Sequence, residues 1–190
     1  MSGFRFVGFA GSWSAPSKTR ALVDQAAERA TARFGGSAHV FDLTDLGEDF
    51  AALSHIEKPT ERTQRHLEAL RTADALIVAS PVFKGSFTGL FKHVIDLLEP
   101  AALQDKPILL AATGGGHRHA LVIEHQLRPL FGFFEARTLA TGLYASSSDF
   151  AEGRLVSPDA LARLDRAIGQ FAPYIPVKAE AVSQPEPLRA

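Results

Sequence analysis

The first stretch of the chain that could do chemistry is the loop 11–20, Gly-Ser-Trp-Ser-Ala-Pro-Ser-Lys-Thr-Arg. It holds four hydroxyl side chains and a lysine, and it leads directly into a pattern typical of a helix. Backbone N–H groups at a helix start, together with hydroxyl donors, form a site for a phosphate group. A simpler interpretation is that Ser17 caps the helix and Gly11 allows a tight exit from a strand. The loop matches neither G-x-x-x-x-G-K-[ST] nor G-x-G-x-x-G, which disfavours a nucleoside triphosphate site and an NAD-type Rossmann site.

A second loop, 80–87, has the sequence Ser-Pro-Val-Phe-Lys-Gly-Ser-Phe. Pro81 and Gly85 flank an aromatic side chain and a lysine, and a flat conjugated ring could pack against Phe83 and the adjoining peptide planes. An ordinary turn, with Ser86 or Thr88 capping the next helix, accounts for the same residues. The sequence leaves both interpretations open.

The third loop, 113–119, reads Thr-Gly-Gly-Gly-His-Arg-His. Three consecutive glycines cost conformational entropy unless the backbone must approach something closely. Their N–H groups could hydrogen-bond a ring carbonyl or a developing negative charge. The alternative is a flexible connection. His117 and His119 could suggest a metal pair, but no further ligand motif accompanies them, so we predict no metal site.

Composition excludes several classes of function. The chain has 190 residues, a net charge of −1 and no cysteine, which rules out disulfides, thiolate metal ligands and thiol catalysis. The balanced charge does not suggest a nucleic-acid partner, which would need a basic patch. No apolar run reaches the length of a membrane span, and the N-terminus lacks a secretory pattern. We therefore expect a cytoplasmic protein with neither nucleic-acid nor membrane partners.

Short apolar runs alternate with helical patterns along the chain. Strands are predicted at 4–10, 39–43, 75–79, 107–112 and 137–144, and helices at 19–33, 60–71, 87–98, 120–134 and 157–171. Ser157 and Pro158 suit the cap and the first turn of the last helix. The runs at 75–79 and 108–112 lack polar alternation, which is typical of strands covered on both faces.

This alternation predicts an α/β three-layer sandwich with a five-stranded parallel sheet in the flavodoxin-like order 2-1-3-4-5. Residues 1–172 would form that domain. Residues 173–190, which are rich in proline, would form a C-terminal arm or disordered tail. Ligands of such sheets bind beyond the carboxyl ends of the strands, at the switch point between the first and third strands. The three loops should meet there.

At these loops the sequence resembles the NAD(P)H-dependent FMN reductases, and above all the reductase components of two-component sulfonate and sulfone monooxygenase systems. The matching segments are 11–19, 80–92 and 112–116, with a further likeness at 124–130, and the resemblance covers about residues 4–172. It implies FMN and NAD(P)H as ligands, a hydride transfer that needs no acid–base triad, and delivery of reduced FMN to a monooxygenase. It also implies a homodimer or homotetramer.

The resemblance also implies roles for individual residues. The phosphate of FMN would be surrounded by Ser12, Ser14, Ser17, Lys18 and Thr19, which follow Gly11. The isoalloxazine would lie along Pro81, Val82, Phe83, Lys84 and Gly85. Its pyrimidine edge would meet Thr113, Gly114, Gly115 and Gly116. Many relatives carry an arginine in the first loop where this chain has Trp13-Ser14. Lys18 and Arg20 are the available substitutes for its charge.

Some relatives carry an inserted residue that makes a π-bulge near the flavin in the helix after the third loop. His125 is the candidate for that position here, and an ordinary exposed histidine is the alternative. His125 and Lys84 are thus possible modulators of the chemistry, whereas no residue is predicted to be catalytic in its own right.

Two other functions stay open on the sequence. FMN could remain bound as a prosthetic group while a quinone, an azo dye or a metal oxyanion is reduced. The chain could also be a non-enzymatic flavodoxin-like carrier, although a net charge of −1 argues against docking on basic partners.

Overall fold

The computed structural model describes residues 3–47, 49–53 and 58–176. At its centre is a parallel sheet in the order β2-β1-β3-β4-β5, and a further strand, β6, also pairs with β4. The strands are β1 (Arg5–Ala10), β2 (Ser37–Asp42), β3 (Ala75–Pro81), β4 (Pro107–Gly114), β5 (Arg137–Thr138) and β6 (Leu143–Ser146). The α/β architecture and the flavodoxin-like strand order predicted from the sequence are confirmed.

Helices cover both faces of this sheet. They are α1 (Lys18–Phe34), α2 (Glu61–Thr72), α3 (Gly89–Asp96), a π-helix (Ile123–Leu127), α4 (Arg128–Gly132) and α5 (Pro158–Gly169). Successive strand residues alternate between two cores: Phe6 and Ala10 pack with α1 and α5, whereas Val7 and Phe9 pack with α2, α3 and α4. Burial on both faces explains why the central strands are apolar throughout.

The fifth predicted strand, 137–144, is not continuous. β5 and β6 are separated by four residues, although both run parallel to β4. At Gly142 a Cβ atom would lie 2.7 Å from the Ile123 side chain, so a larger residue there would require the start of the π-helix to shift. Side chains bind the backbone of the break instead: Arg128 donates to the Leu139 carbonyl at 3.0 Å, and Arg163 donates to the Gly142 carbonyl at 2.6 Å. The sequence pattern did not reveal these contacts.

The helix starts follow the capping rules. Ser17, Thr60, Thr88 and Ser157 are N-caps whose side chains each accept a backbone N–H from the first turn. Ser17 and Ser157 are the caps that the sequence predicts, and Thr88 is one of the two candidates, with Ser86, for the cap of α3. Pro158 occupies the first turn of α5 as expected. Near the sheet, a small antiparallel hairpin of β7 (Phe150–Ala151) and β8 (Arg154–Leu155) was not predicted.

The helix predicted at 120–134 is the most irregular element. It begins after a 3-10 turn at His117–His119, passes through the π-helix and continues as the short α4. The Arg128 N–H bonds to the Ile123 carbonyl, the five-residue spacing of a π-helix. The position proposed for the bulge, His125, therefore lies within a π-helical segment, as the resemblance implies.

The C-terminal part of the described chain ends in a 3-10 turn at Ala172–Tyr174. Tyr174 and Ile175 pack against the core on the α1 and α5 side, so the ordered chain extends slightly past the predicted boundary at 172. Most of the predicted tail, 177–190, lies outside the described residues. Within the described residues no helix is both long enough and apolar enough to cross a membrane.

Candidate functional site

Hydrogen bonds join the three loops at the carboxyl edge of the sheet. The Gly11 N–H donates to the Ala79 carbonyl at 2.7 Å, which ties the first loop to β3. The Val82 N–H donates to the Thr113 carbonyl at 2.8 Å, which ties the second loop to the third. The predicted convergence of the three loops at the switch point is thus observed.

Between the loops lies a cleft of about 490 Å³. Residues of all three loops line it: Gly11, Ser12, Trp13, Ser14, Pro16, Ser17, Lys18 and Thr19 from the first, Pro81, Val82 and Phe83 from the second, and Thr113, Gly114 and Gly115 from the third. Four side chains from elsewhere complete the lining, namely Leu43, Thr88, Leu90 and Ser147. The volume falls within the range of small-molecule sites. Trp13 and Phe83 are 45% and 65% exposed, and both border the opening.

The first loop presents hydrogen-bond donors to this cleft. α1 starts beside the cleft, and the N–H groups of its first turn, including those of Lys18 and Thr19, have no carbonyl within the helix to bind. Ser12 is buried, and its Oγ has no hydrogen-bond partner among the described residues. A buried hydroxyl without a partner is costly, and it suits a ligand that brings the acceptor.

Thr19 and Thr113 are paired with each other. Their hydroxyl oxygens lie 2.6 Å apart, and both side chains are buried. The bond joins the start of α1 to the base of the third loop, whose residues 114–116 we call the glycine loop, so it sets the relative position of the two walls of the cleft. One hydroxyl hydrogen of the pair is used in this bond, which leaves a single one for a ligand.

Arg20 does not face the cleft. Its guanidinium contacts Asp24 at 3.1 Å, Asp42 at 3.3 Å and Asp45 at 3.0 Å. Burial would lower the pKa of Arg20, but hydrogen bonds and charge from Asp24, with help from Asp45 and Asp42, raise it. The interpretation of Arg20 as a substitute for the missing arginine is therefore wrong, because its charge is already compensated. Among the described residues, Lys18 is the one charged side chain that lines the cleft.

The second loop is a tight hairpin. Phe83 and Ser86 exchange backbone hydrogen bonds at 3.0 and 3.2 Å, and the two residues between them have positive φ angles, 53° at Lys84 and 88° at Gly85. This is the conformation of a type I′ turn. The turn holds the exposed Phe83 ring at the mouth of the cleft, whereas Lys84 and Gly85 form the tip and do not line it.

The glycine loop is shaped by its neighbours on β6. A Cβ atom at Gly114 would lie 2.3 Å from the Tyr144 hydroxyl, whereas nothing lies within 4 Å of such an atom at Gly115 or Gly116. The Tyr144 hydroxyl donates to the Gly116 carbonyl at 2.5 Å. Gly116 itself does not line the cleft. Gly11 has a similar packing cause, since a Cβ there would lie 2.5 Å from the Phe91 ring.

Most of the predicted site residues meet in the cleft, but several do not. Lys84, Gly85, Gly116 and His125 lie outside its lining. His125 is exposed on the π-helix, next to Gln126, whose side chain accepts a hydrogen bond from Ser86 at 3.1 Å. The sequence reasoning missed some lining and supporting residues, namely Trp13, Pro16, Leu43, Leu90, Tyr144 and Ser147. Trp13 could have been found from its position between two of the predicted serines.

Residues of this cleft fit a phosphorylated planar ligand. An unpartnered buried hydroxyl and a helix start lie at one end, and an open glycine loop lies beside an exposed aromatic ring. A doubly wound parallel sheet with such a cleft at its switch point defines a flavodoxin-like protein.

Comparisons with known proteins define the family. The family model described as NADPH-dependent FMN reductase matches residues 4–151, and the chain belongs to this family. It is 45% identical over 164 residues to the NADH-dependent FMN reductase SfnF of Pseudomonas fluorescens, covering 86% of this chain and 87% of that protein. It is 43% identical over 180 residues to the FMN reductase (NADPH) of Pseudomonas aeruginosa, covering 94% and 96%. The solved apo structure of the NADH:FMN oxidoreductase EMOB superimposes with a TM-score of 0.82 at 30% identity, covering 93% and 92%.

Proposed function

We propose that this protein reduces FMN with NADH or NADPH and releases the reduced flavin to an FMNH2-dependent monooxygenase. The observation that carries the proposal is the convergence of a donor-rich helix start and an open glycine loop in one cleft. The family to which the chain belongs supports the same reaction. When bound together, the nicotinamide and the flavin supply the hydride transfer, and the protein supplies binding, orientation and electrostatics.

The phosphate of FMN would bind at the start of α1. Ser12, Ser14 and Ser17 would donate from their hydroxyls, with the N–H groups of the first helical turn and the charge of Lys18 beside them. Ser17 can fill both roles considered from the sequence, because its oxygen accepts the Arg20 N–H as a cap while its hydrogen remains free to donate. Phosphate binding would distinguish FMN from riboflavin.

The ring system would lie between the second and third loops. Pro81, Val82 and Phe83 would contact its face, and the amides of the glycine loop would meet its pyrimidine edge. These amides would favour the negative charge that reduction adds to the ring. Lys84 is at the exposed tip of the turn, so its positive charge would contribute to the electrostatic field at the mouth of the cleft.

An open cleft suits a flavin that comes and goes. Phe83 is 65% exposed at the mouth, and Trp13, whose ring packs against Phe50, is still 45% exposed. A flavin held there can exchange with solvent or with a partner protein. We therefore assign FMN as a substrate that diffuses to a monooxygenase. A cytoplasmic location and a homodimer or homotetramer complete the proposal.

The decisive assay follows the oxidation of NADH and of NADPH at 340 nm as FMN, FAD and riboflavin are varied over flavin-stripped protein. We expect saturable dependence on added FMN and almost no oxidation without it. The relatives' names include both nicotinamides, so both are tested. Rates independent of added FMN, with flavin retained through purification and ping-pong kinetics toward a quinone, would instead favour a bound prosthetic group.

A binding measurement complements the kinetics. Trp13 is the single tryptophan of the chain and it lines the cleft, so its fluorescence reports on this cleft alone. Adding FMN to the stripped protein should quench that fluorescence saturably. Clear quenching without NAD(P)H oxidation would indicate a flavodoxin-like carrier, and no quenching at all would show that FMN does not bind in this cleft.

A further inference from the structure

Tyr144, on β6, contacts the glycine loop from the side opposite the second loop. Its hydroxyl donates to the Gly116 carbonyl at 2.5 Å and leaves no room for a side chain at Gly114. Ser147, just after β6, makes a longer contact of 3.5 Å to the Gly114 carbonyl. Two carbonyls of the loop are therefore directed toward the β6 side.

The direction of these carbonyls fixes the direction of the next N–H groups. In a trans peptide the C=O and the following N–H point in opposite directions. Because the Gly114 and Gly116 carbonyls face the β6 side, the N–H groups of Gly115 and His117 are directed away from it. Gly115 borders the cleft, and the space around its Cα is open.

A run of three glycines would otherwise be free to rotate these peptides. Glycine has no side chain to restrict φ and ψ, so an unsupported loop would sample many amide directions. The Tyr144 hydroxyl is the one side-chain donor to the Gly116 carbonyl among the described residues. Burial, and then the nearby charge of Asp149, raise the pKa of Tyr144, so it stays protonated and keeps donating at neutral pH.

We propose that Tyr144 is a positioning residue for the flavin: by anchoring the Gly116 carbonyl toward β6 it fixes the conformation of the glycine loop in which the Gly115 amide is turned to the cleft, where that amide favours reduced FMN over oxidised FMN. The inference rests on the proposed function, because it assumes that the ring lies against this loop. Tyr144 would act through the backbone and would not touch the reacting atoms.

The test compares Tyr144→Phe with the wild type and with Tyr174→Phe. The control removes the only other phenol hydroxyl of the chain, at the C-terminal 3-10 turn. Dissociation constants are measured for oxidised FMN and, anaerobically, for reduced FMN. We expect Tyr144→Phe to weaken reduced FMN about 5- to 10-fold, as for the loss of one hydrogen bond, and oxidised FMN only about 2-fold. The midpoint potential of bound FMN should then become about 10 to 20 mV more negative, since tenfold corresponds to about 30 mV.

A second readout needs no flavin. Amide hydrogen exchange of a peptide covering the glycine loop should be faster in flavin-free Tyr144→Phe than in the wild type, and unchanged in Tyr174→Phe. Equal weakening of both oxidation states, with an unchanged potential, would overturn the inference, and so would unchanged exchange. If the wild type itself fails to bind FMN, the proposed function fails first.

Gly114→Ala provides an independent route. Its Cβ would collide with the Tyr144 hydroxyl at 2.3 Å, but the next ring atom, Cζ, is 3.2 Å away. The alanine should therefore weaken FMN binding in the wild type and cost at least about 3-fold less in the Tyr144→Phe background, because the colliding atom is gone. Strictly additive effects would show that the hydroxyl does not control this loop.

Discussion

Ser12→Ala should change stability and FMN affinity in opposite directions. The Ser12 side chain is 3% exposed and its Oγ has no partner among the described residues. Leaving a buried hydroxyl unsatisfied costs about 1–3 kcal/mol, so its removal should raise the free energy of unfolding of the flavin-free protein by about 1 kcal/mol. A hydrogen bond from Oγ to a phosphate is worth about 1.5–3 kcal/mol, so FMN should bind roughly 10- to 100-fold more weakly.

Two measurements on one variant test this reasoning. Urea denaturation of the stripped protein gives the free energy of unfolding, and quenching of Trp13 gives the affinity for FMN and for riboflavin. Riboflavin lacks the phosphate, so its affinity should change less than about 2-fold. Ser14→Ala is the matched control for stability, because Ser14 is exposed in the same loop and its loss should cost less than about 0.5 kcal/mol. If Ser12→Ala is less stable than the wild type, or binds FMN as tightly as the wild type does, then Ser12 is not an unsatisfied donor that binds the phosphate.

Three further outcomes are expected. Burial, and then the proximity of His39, lower the pKa of His66, so the folded protein binds fewer protons than the unfolded chain. The free energy of unfolding should therefore fall as the pH drops below about 6.5, and denaturation of His66→Gln at several pH values should show a smaller fall. Lys18→Gln should weaken FMN binding about 2- to 5-fold at low salt and flatten its salt dependence, with riboflavin titrations unchanged as the check. Gly11→Ala should lower the free energy of unfolding by about 1–3 kcal/mol, because its Cβ collides with the Phe91 ring. Gly115→Ala has open space at that position and should lower it by less than about 0.5 kcal/mol, so equal losses would contradict the packing argument.

The sequence was sufficient for the order of the sheet and the edge at which the loops meet. Hydrophobic runs such as 75–79 indicate strands buried on both faces, and Ser17 and Ser157 indicate helix starts. These features are predictable because each depends on only a few consecutive residues. The same local signals located the cleft, since the carboxyl ends of neighbouring parallel strands share one edge.

What the sequence could not predict depends on contacts between distant residues. At the break between β5 and β6 Gly142 lies against Ile123, and the neutralisation of Arg20 depends on Asp42 at the end of β2 and on Asp45 after it. Tyr144 was missed for the same reason, because nothing near it in the chain shows that it reaches the glycine loop. Periodicity and capping carry no information about such pairs.

The type I′ turn at Lys84 and Gly85 has a consequence for how such enzymes diversify. Its tip belongs to neither hydrophobic core, yet its base sets the position of Phe83 at the mouth. Residues at the tip can therefore be exchanged with little effect on folding, provided that both positions tolerate a left-handed backbone, as asparagine and glycine do. A library of variants confined to Phe83 and Lys84 would alter which molecules can approach a flavin bound in the cleft, while leaving the sheet and its helices unchanged.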